Sequence, residues 1–310
     1  MKNLLTLIVL LSLSVAAVYG GNNTSGTALF LRLPVNARVA GLGEAYTAIA
    51  SGVDAIATNV AGLGENQKTE FTFLYDNYIE DLSMQYFGVK TYIKRIKANI
   101  GLSIRNFDNG SFEGTLITGG YSYVSNGTFK AVDKEYVLSY MPELKNKVKF
   151  GLNVKYIKSE IAGETADGYA IDLGWKYKSN GEILPLNIGF AVQNIGKKLK
   201  FDSEKEDLPL TTRIGLSTEL EMNKNINILG TIEGLYLNSQ DKEKYEMMSG
   251  IEITYKSNYS IRMGYNTINE AGTGVSLGFG IKLKEFRFDY AYVDYGDLSS
   301  SNKISVNYSF

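Results

Sequence analysis

The chain has 310 residues and a formal net charge of −1, and it contains neither Cys nor His. That composition removes thiol nucleophiles, thiolate metal sites, disulfides, an acylated N-terminal cysteine and imidazole as base or ligand, and it offers no basic surface for nucleic acid. Aromatics make up 12%, with 22 Tyr, and 32 Gly stand against 4 Pro, so turns fall to Gly, Asn, Asp and Ser between many strands.

Residues 1–20 read as an export signal. Lys2 precedes an apolar run from Leu4 to Val18 broken only by Thr6, Ser12 and Ser14, and Gly20 with Val18 two before it makes a cleavage site. The run is short for a spanning helix, and nothing later approaches one. The mature chain is therefore expected to be soluble, or to enter a membrane by means other than helices.

Residues 26–64 differ from everything after them, being rich in small residues with only four charges, Arg32, Arg38, Glu44 and Asp54. Leu29 to Val35 reads as a brief extended piece ended by Pro34. Ala37 to Ala50 is compatible with short helical turns but is interrupted by Gly41 and Gly43, and Ser51 with Asp54 has capping-box spacing ahead of Ala55 to Thr58. The Gly41-Leu42-Gly43 run is no dinucleotide fingerprint, because no suitable strand precedes it and Tyr46 stands where a third Gly would fall. A weakly charged segment ahead of a strand array suits a plug enclosed by that array. Residues 21–66 are assigned as this hatch and 67–310 as the array, with Arg38 expected buried against Asp, Glu or carbonyl groups.

From Lys68 onward the period is two. Val148, Phe150, Leu152, Val154 and Tyr156 oppose Lys149, Gly151, Asn153 and Lys155, and Tyr169, Ile171, Leu173, Trp175 and Tyr177 oppose Asp172, Gly174 and Lys176. Strands are predicted near 68–75, 82–92, 97–106, 134–141, 147–159, 168–178, 184–194, 211–221, 225–236, 244–256, 259–267, 273–284, 285–295 and 303–310. The longest connections, 106–133 and 196–208, read as loops, whereas 178–181 and 256–258 read as tight turns. About fourteen alternating strands with aromatic ends and a terminal Phe310 predict an all-β fold, a transmembrane antiparallel β-barrel, over a soluble sandwich.

The polar faces offer Arg105, Lys149, Lys155, Asp172, Arg213, Glu246, Glu252, Arg262, Arg287 and Asp289, which could line a path or grip a plug but are read first as a wet lumen wall with cross-strand charge pairs. Glu204 with Glu206, and Asp294 with Asp297, lack metal or acid/base spacing. No catalytic residue, metal or cofactor is expected. Tyr308 and Phe310, on the last strand, resemble the signal that outer-membrane assembly machinery reads.

Phe30-Leu31 to Pro34, Ala37-Arg38, Gly41 to Ala45, Ala48 and Asn59-Val60-Ala61-Gly62-Leu63 resemble the N-terminal signature of the PorV/PorQ outer-membrane proteins, and the likeness continues through Asp133 to Asp172. Val60 stands where that family has Pro, and Gly41, Leu42 and Glu44 stand where Ala, Met and Gly are usual. The resemblance implies a FadL-like barrel of an outer membrane of Gram-negative type, with Arg38, Gly43, Asn59, Gly62 and Leu63 as the hatch motif. It implies a type IX secretion component handling exported proteins through loops such as 106–133, with outer-membrane lipid, the barrel assembly machinery and other secretion components as partners. The alternative is a FadL-like transporter of hydrophobic small molecules.

Overall fold

Alternation along the strands sets the architecture of the computed structural model, which describes residues 28–310 except 81, 118–122, 145–146, 180–184, 202–203, 240–241 and 268–271. The export signal assigned to 1–20 lies outside the described residues. In chain order the strands are β1 (Glu70–Asn77), β2 (Ser83–Ile93), β3 (Ala98–Ile117), β4 (Tyr123–Pro142), β5 (Val148–Ile161), β6 (Glu164–Lys178), β7 (Leu186–Gly196) and the short β8 (Leu199–Phe201) and β9 (Glu204–Glu206). They continue as β10 (Leu210–Asn223), β11 (Ile226–Ser239), β12 (Lys242–Tyr255), β13 (Tyr259–Asn266), β14 (Val275–Leu283), β15 (Phe286–Asp294) and β16 (Ser300–Ser309). All but β8 and β9 form one closed antiparallel barrel of fourteen strands. β7 pairs with β10, and β1 closes on β16 from Glu70↔Ser309 to Asn77↔Asn302. Closure leaves no unpaired edge, which a sheet in hydrocarbon requires.

The apolar face of each strand points outward. On β15, Phe286, Phe288, Tyr290 and Tyr292 are 44%, 44%, 41% and 39% exposed, while Asp289 between them is 2% exposed. Such a belt of bare rings and aliphatics around the whole circumference is stable only against lipid. Among the described residues no helix is long and apolar enough to cross a membrane, and the strands make the crossing.

The end carrying the connections after β2, β4, β6, β10, β12 and β14 is the short-turn end, since all but 179–185 have five residues or fewer; the other carries the longest connections, 197–209 and 267–274, beside the two-residue connections 162–163 and 240–241. At the short end Lys256 and Ser257 have φ of 50° and 58°, and Lys284 has φ of 53°. Left-handed residues of this kind let the turn follow the right-handed twist of its strands.

Two predicted loops prove to be structured. Between Asn106 and Asp133 the chain extends β3 and β4 into one long hairpin, with Phe112 opposite Phe129. Register shifts between Asp108 and Ser111 and between Glu113 and Thr115 exchange the faces partway along, so alternation read from sequence fails there. Residues 196–208 contain the β8–β9 hairpin, and Leu199 and Leu208 are buried with the apolar groups inside the barrel.

Residues 28–66 run through the barrel interior. Leu29–Arg32 is a 3-10 turn, not an extended piece, and α1 (Ala37–Gly41) is a helix of 5 residues. Ser51 makes no side-chain cap to the 3-10 turn Gly52–Ala55. The working caps are Asn36, which accepts from the Arg38 amide at 2.7 Å, and Asn59, which accepts from the Ala61 amide at 3.2 Å.

Candidate functional site

A segment with so little secondary structure leaves its own carbonyls and amides unmet, and in a dry lumen each must find a partner. The inward polar side chains of the wall supply them. Lys176 donates to the Ala50 carbonyl at 2.7 Å, Asn153 to that of Ile56 at 2.8 Å, Gln193 to that of Ala57 at 3.0 Å and Thr231 to that of Ala45 at 3.0 Å. Glu233 accepts from the Thr47 amide at 2.7 Å and its hydroxyl at 2.8 Å, and Glu70 accepts from the Val53 amide at 2.8 Å. The expectation of a wet lumen wall is therefore corrected. Arg105, Lys155, Asp172, Arg213, Glu246, Glu252, Arg262 and Asp289 are all buried against the hatch or one another, and the polar face is the hydrogen-bonding complement of the hatch backbone.

Charges along the wall fall into connected groups. On one side Glu135 lies 3.1 Å from both Arg105 and Lys155, and Lys155 lies 2.9 Å from Asp172. Across the lumen, Arg38 reaches Glu252 through two parallel hydrogen bonds of 2.9 and 2.7 Å. Arg262 bridges the same Glu252 to Asp289, and Arg287 continues from Asp289 to Asp54 of the hatch. Asp54 also accepts from Asn36 at 3.0 Å and Asn307 at 2.8 Å. Burial works against the charge on Arg38, but the Glu252 carboxylate holds it protonated well above the ordinary arginine range. Elsewhere Arg32 meets Glu246 at 2.6 Å and Arg213 meets Glu233 at 2.8 Å, while Lys149 and Lys176 meet Glu65 at 3.7 and 2.8 Å. Burial raises the Glu44 carboxyl above the ordinary range, because Arg213 and Arg32 only partly offset its desolvation.

The other hatch residues singled out from sequence serve close packing. Gly43 has φ of 62°, and a Cβ on it would stand 2.6 Å from the Tyr265 amide nitrogen. A Cβ on Gly62 would stand 2.1 Å from the Ala50 oxygen. Asn59 donates to the Thr47 and Trp175 carbonyls at 3.0 and 2.9 Å, and Leu63 packs with Val53, Ile56, Val137 and Met141. The Tyr308 and Phe310 rings pack together at the end of the last strand, with centroids 5.4 Å apart. Asp294 is a loop cap accepting from Thr273 at 2.7 Å and from the Gly296 amide at 3.1 Å.

Two features of the lumen were not anticipated. Toward the long-loop end the inner wall turns apolar, as Leu74, Met84, Tyr86, Phe107 and Ile157 gather around Phe30 and Leu31 of the hatch. Phe30 stacks on Phe107 with centroids 6.4 Å apart. The inward positions of β1, β2, β3 and β5 carry the sequence signal, since each departs there from the polar inner face. At the short-turn end a cleft of about 360 Å³ opens between hatch and wall, lined by Asp54, Glu70, Lys284, Arg287 and Asn307 among others. A smaller one of about 130 Å³ shares Lys282 and Arg287 with it and reaches Arg38 and Glu252. Among the described residues no group of three or more side chains suits a metal ion.

Solved structures share this architecture. The CymD monoaromatic hydrocarbon channel matches with a TM-score of 0.59 at 12% identity, over 92% of this chain and 99% of that one. The toluene transporter TodX of P. putida matches at 0.55 with 12% identity, over 88% and 97%. The Ralstonia pickettii toluene transporter TbuX matches at 0.55 with 14% identity, over 89% and 96%. No family model and no curated protein matches the chain. The chain thus shares the fold of these channels and transporters, a closed antiparallel β-barrel of fourteen strands. The PorV/PorQ identification finds no support in these comparisons.

Proposed function

We propose that this protein admits hydrophobic small molecules through the outer membrane, without catalysis, past a hatch that fills the lumen. The observation that carries the reading is the apolar patch formed by Leu74, Met84, Tyr86, Phe107 and Ile157 on an otherwise polar inner wall. Hatch carbonyls account for the polar groups of that wall, but backbone has no need of aromatic and aliphatic partners. A patch of this kind gives an apolar solute a place to leave water, and Phe30 and Leu31 already occupy it as such a solute would. The fold shared with channels and transporters of monoaromatic hydrocarbons and toluene supports the same class of solute.

The secretion reading rests on the sequence resemblance to the PorV/PorQ family alone and is the weaker of the two. Tyr308 and Phe310 serve, in this proposal, as the assembly signal of the barrel, consistent with their outward position beside the closing seam.

Uptake of radiolabelled toluene by cells expressing the chain tests the proposal. Faster uptake than in cells with the empty vector, with glucose uptake unchanged, is the expected result. Equal toluene uptake in both overturns it, and a rise in both solutes would make the barrel a general pore.

A further inference from the structure

The formal charge of −1 conceals a segregation along the barrel axis. Arg95, Lys147, Lys178, Lys224, Lys256 and Lys284 stand one on or beside each of the six hairpins of the short-turn end, and all are exposed. Lys68, also exposed, takes the corresponding place just ahead of β1, next to the seam where the barrel closes. None of these cations forms an ion pair with a described carboxylate, whereas nearly every inward cation does. Among the described residues exposed carboxylates at this rim are fewer, namely Glu143, Glu219, Glu221 and Glu285, and two are engaged locally. Glu143 accepts from Tyr92 and Gln67, and Glu219 accepts from Asn227. The long-loop end instead interleaves both signs, as in the exposed pairs Lys158–Glu160 and Lys198–Asp207.

Outward rings lie immediately inside the collar on the barrel surface: Tyr140, Trp175, Tyr255, Tyr259, Phe286 and Phe310, from 37% to 60% exposed. Aromatic girdles settle at the level of lipid headgroups, so long cationic side chains just beyond them reach the phosphates. Lys256 already lies over the Tyr255 ring, 5.2 Å from its centroid.

We propose that this collar binds the phosphates of anionic phospholipids in the leaflet around the short-turn end. The ring arrangement decides against an acidic protein. A folded partner meets one side of a rim, but the cations surround the barrel without a gap at any short hairpin, and lipid alone surrounds it in the same way. Because none is held in an ion pair with a described carboxylate, they are available, and exposed ammonium groups near a negatively charged surface are drawn to it additively.

The test is lipid selectivity of the full chain reconstituted in phosphatidylcholine bilayers with trace spin-labelled phosphatidylglycerol or phosphatidylcholine. The motionally restricted spectral fraction reports which lipid associates. Phosphatidylglycerol should associate at least about twofold more strongly at low salt, and the preference should fall as salt screens the collar. Combining Lys68→Gln, Lys94→Gln, Arg95→Gln, Lys97→Gln, Lys147→Gln, Lys178→Gln, Lys224→Gln, Lys256→Gln and Lys284→Gln should bring the ratio toward unity. Combining Lys158→Gln, Lys197→Gln, Lys198→Gln and Lys200→Gln at the opposite end should leave it unchanged. Equal association of the two lipids with the unaltered chain, or a preference indifferent to salt, overturns the proposal without depending on any variant refolding. A preference retained by the collar variant overturns it as well and would return the collar to an acidic protein partner.

Discussion

Arg38 and Glu252 face each other across 214 positions of sequence through two parallel hydrogen bonds, joining the hatch to the last third of β12. The planar guanidinium fits the carboxylate as a fork, a geometry that fixes direction as well as charge. Arg262 shares the same carboxylate but also holds Asp289, so removing Glu252 strands Arg38 in the lumen.

Glu252→Gln should therefore loosen the hatch by about 3 kcal/mol, because breaking a buried pair leaves uncompensated charge. Hydrogen exchange of residues 37–50 should accelerate, and single-channel traces in planar bilayers should show openings that the unaltered protein lacks. Arg38→Lys should act in the same direction with a smaller effect. Unchanged exchange in both variants would mean that the fork does not hold the hatch.

Close backbone approach makes a second test. A Cβ on Gly264 would stand 2.0 Å from the Gly43 nitrogen, whereas one on Gly163, in the Ala162-Gly163 turn, would meet nothing within 4 Å. Gly264→Ala should cost upwards of about 3 kcal/mol by forcing hatch and wall apart. Gly163→Ala should cost about 1 kcal/mol through its positive φ alone. Thermal unfolding in detergent, followed by loss of the β-sheet circular dichroism signal, ranks the two.

Val60 opens the 3-10 turn Val60–Gly62, with Asn59 as its cap. Proline is favoured at the first position of such a turn, where the amide has no partner within it. Val60→Pro should leave stability within about 1 kcal/mol of the original, by fixing a φ the turn already uses. A loss of several degrees in the unfolding temperature would show that the valine methyls, packed toward Gly151 and Gly174, matter more than the backbone.

Phe30→Ala should empty part of the apolar patch. If that patch receives solutes, toluene uptake rises while glucose uptake stays level. Uptake that falls, or that does not change, would assign Phe30 to holding the hatch alone.

Glu65 gives a pH prediction. Burial pushes its carboxyl up, but Lys176 and Lys149 outweigh that and hold it below the ordinary value of 4.5. A depressed carboxyl contributes stability that is present above its unfolded value and lost as pH falls through the folded one. Protection of residues 60–66 against hydrogen exchange, relative to the intrinsic rate at each pH, should therefore fall below about pH 4.5, and Glu65→Gln should flatten that dependence.

Strand positions were legible because a membrane barrel writes lipid-facing and inward residues alternately, and each of the fourteen predicted runs overlaps a barrel strand. Legibility failed where alternation breaks, at the bulges near Asp108 and Glu113, and where a connection folds inward, at Leu199 and Leu208. By itself the sequence determined the period-two faces, the small residues of 28–66 and the presence of Arg38 among few charges. Only the tertiary structure decided what the inner face is for. Lys176, Asn153 and Gln193 read identically in sequence whether they meet water or the carbonyls of Ala50, Ile56 and Ala57, because a backbone acceptor leaves no mark on the residue that donates to it. The basic collar was hidden for a related reason. Its cations are scattered from Lys68 to Lys284 in a nearly neutral chain, and they become neighbours of one surface only when the antiparallel strands bring alternate turns to the same end.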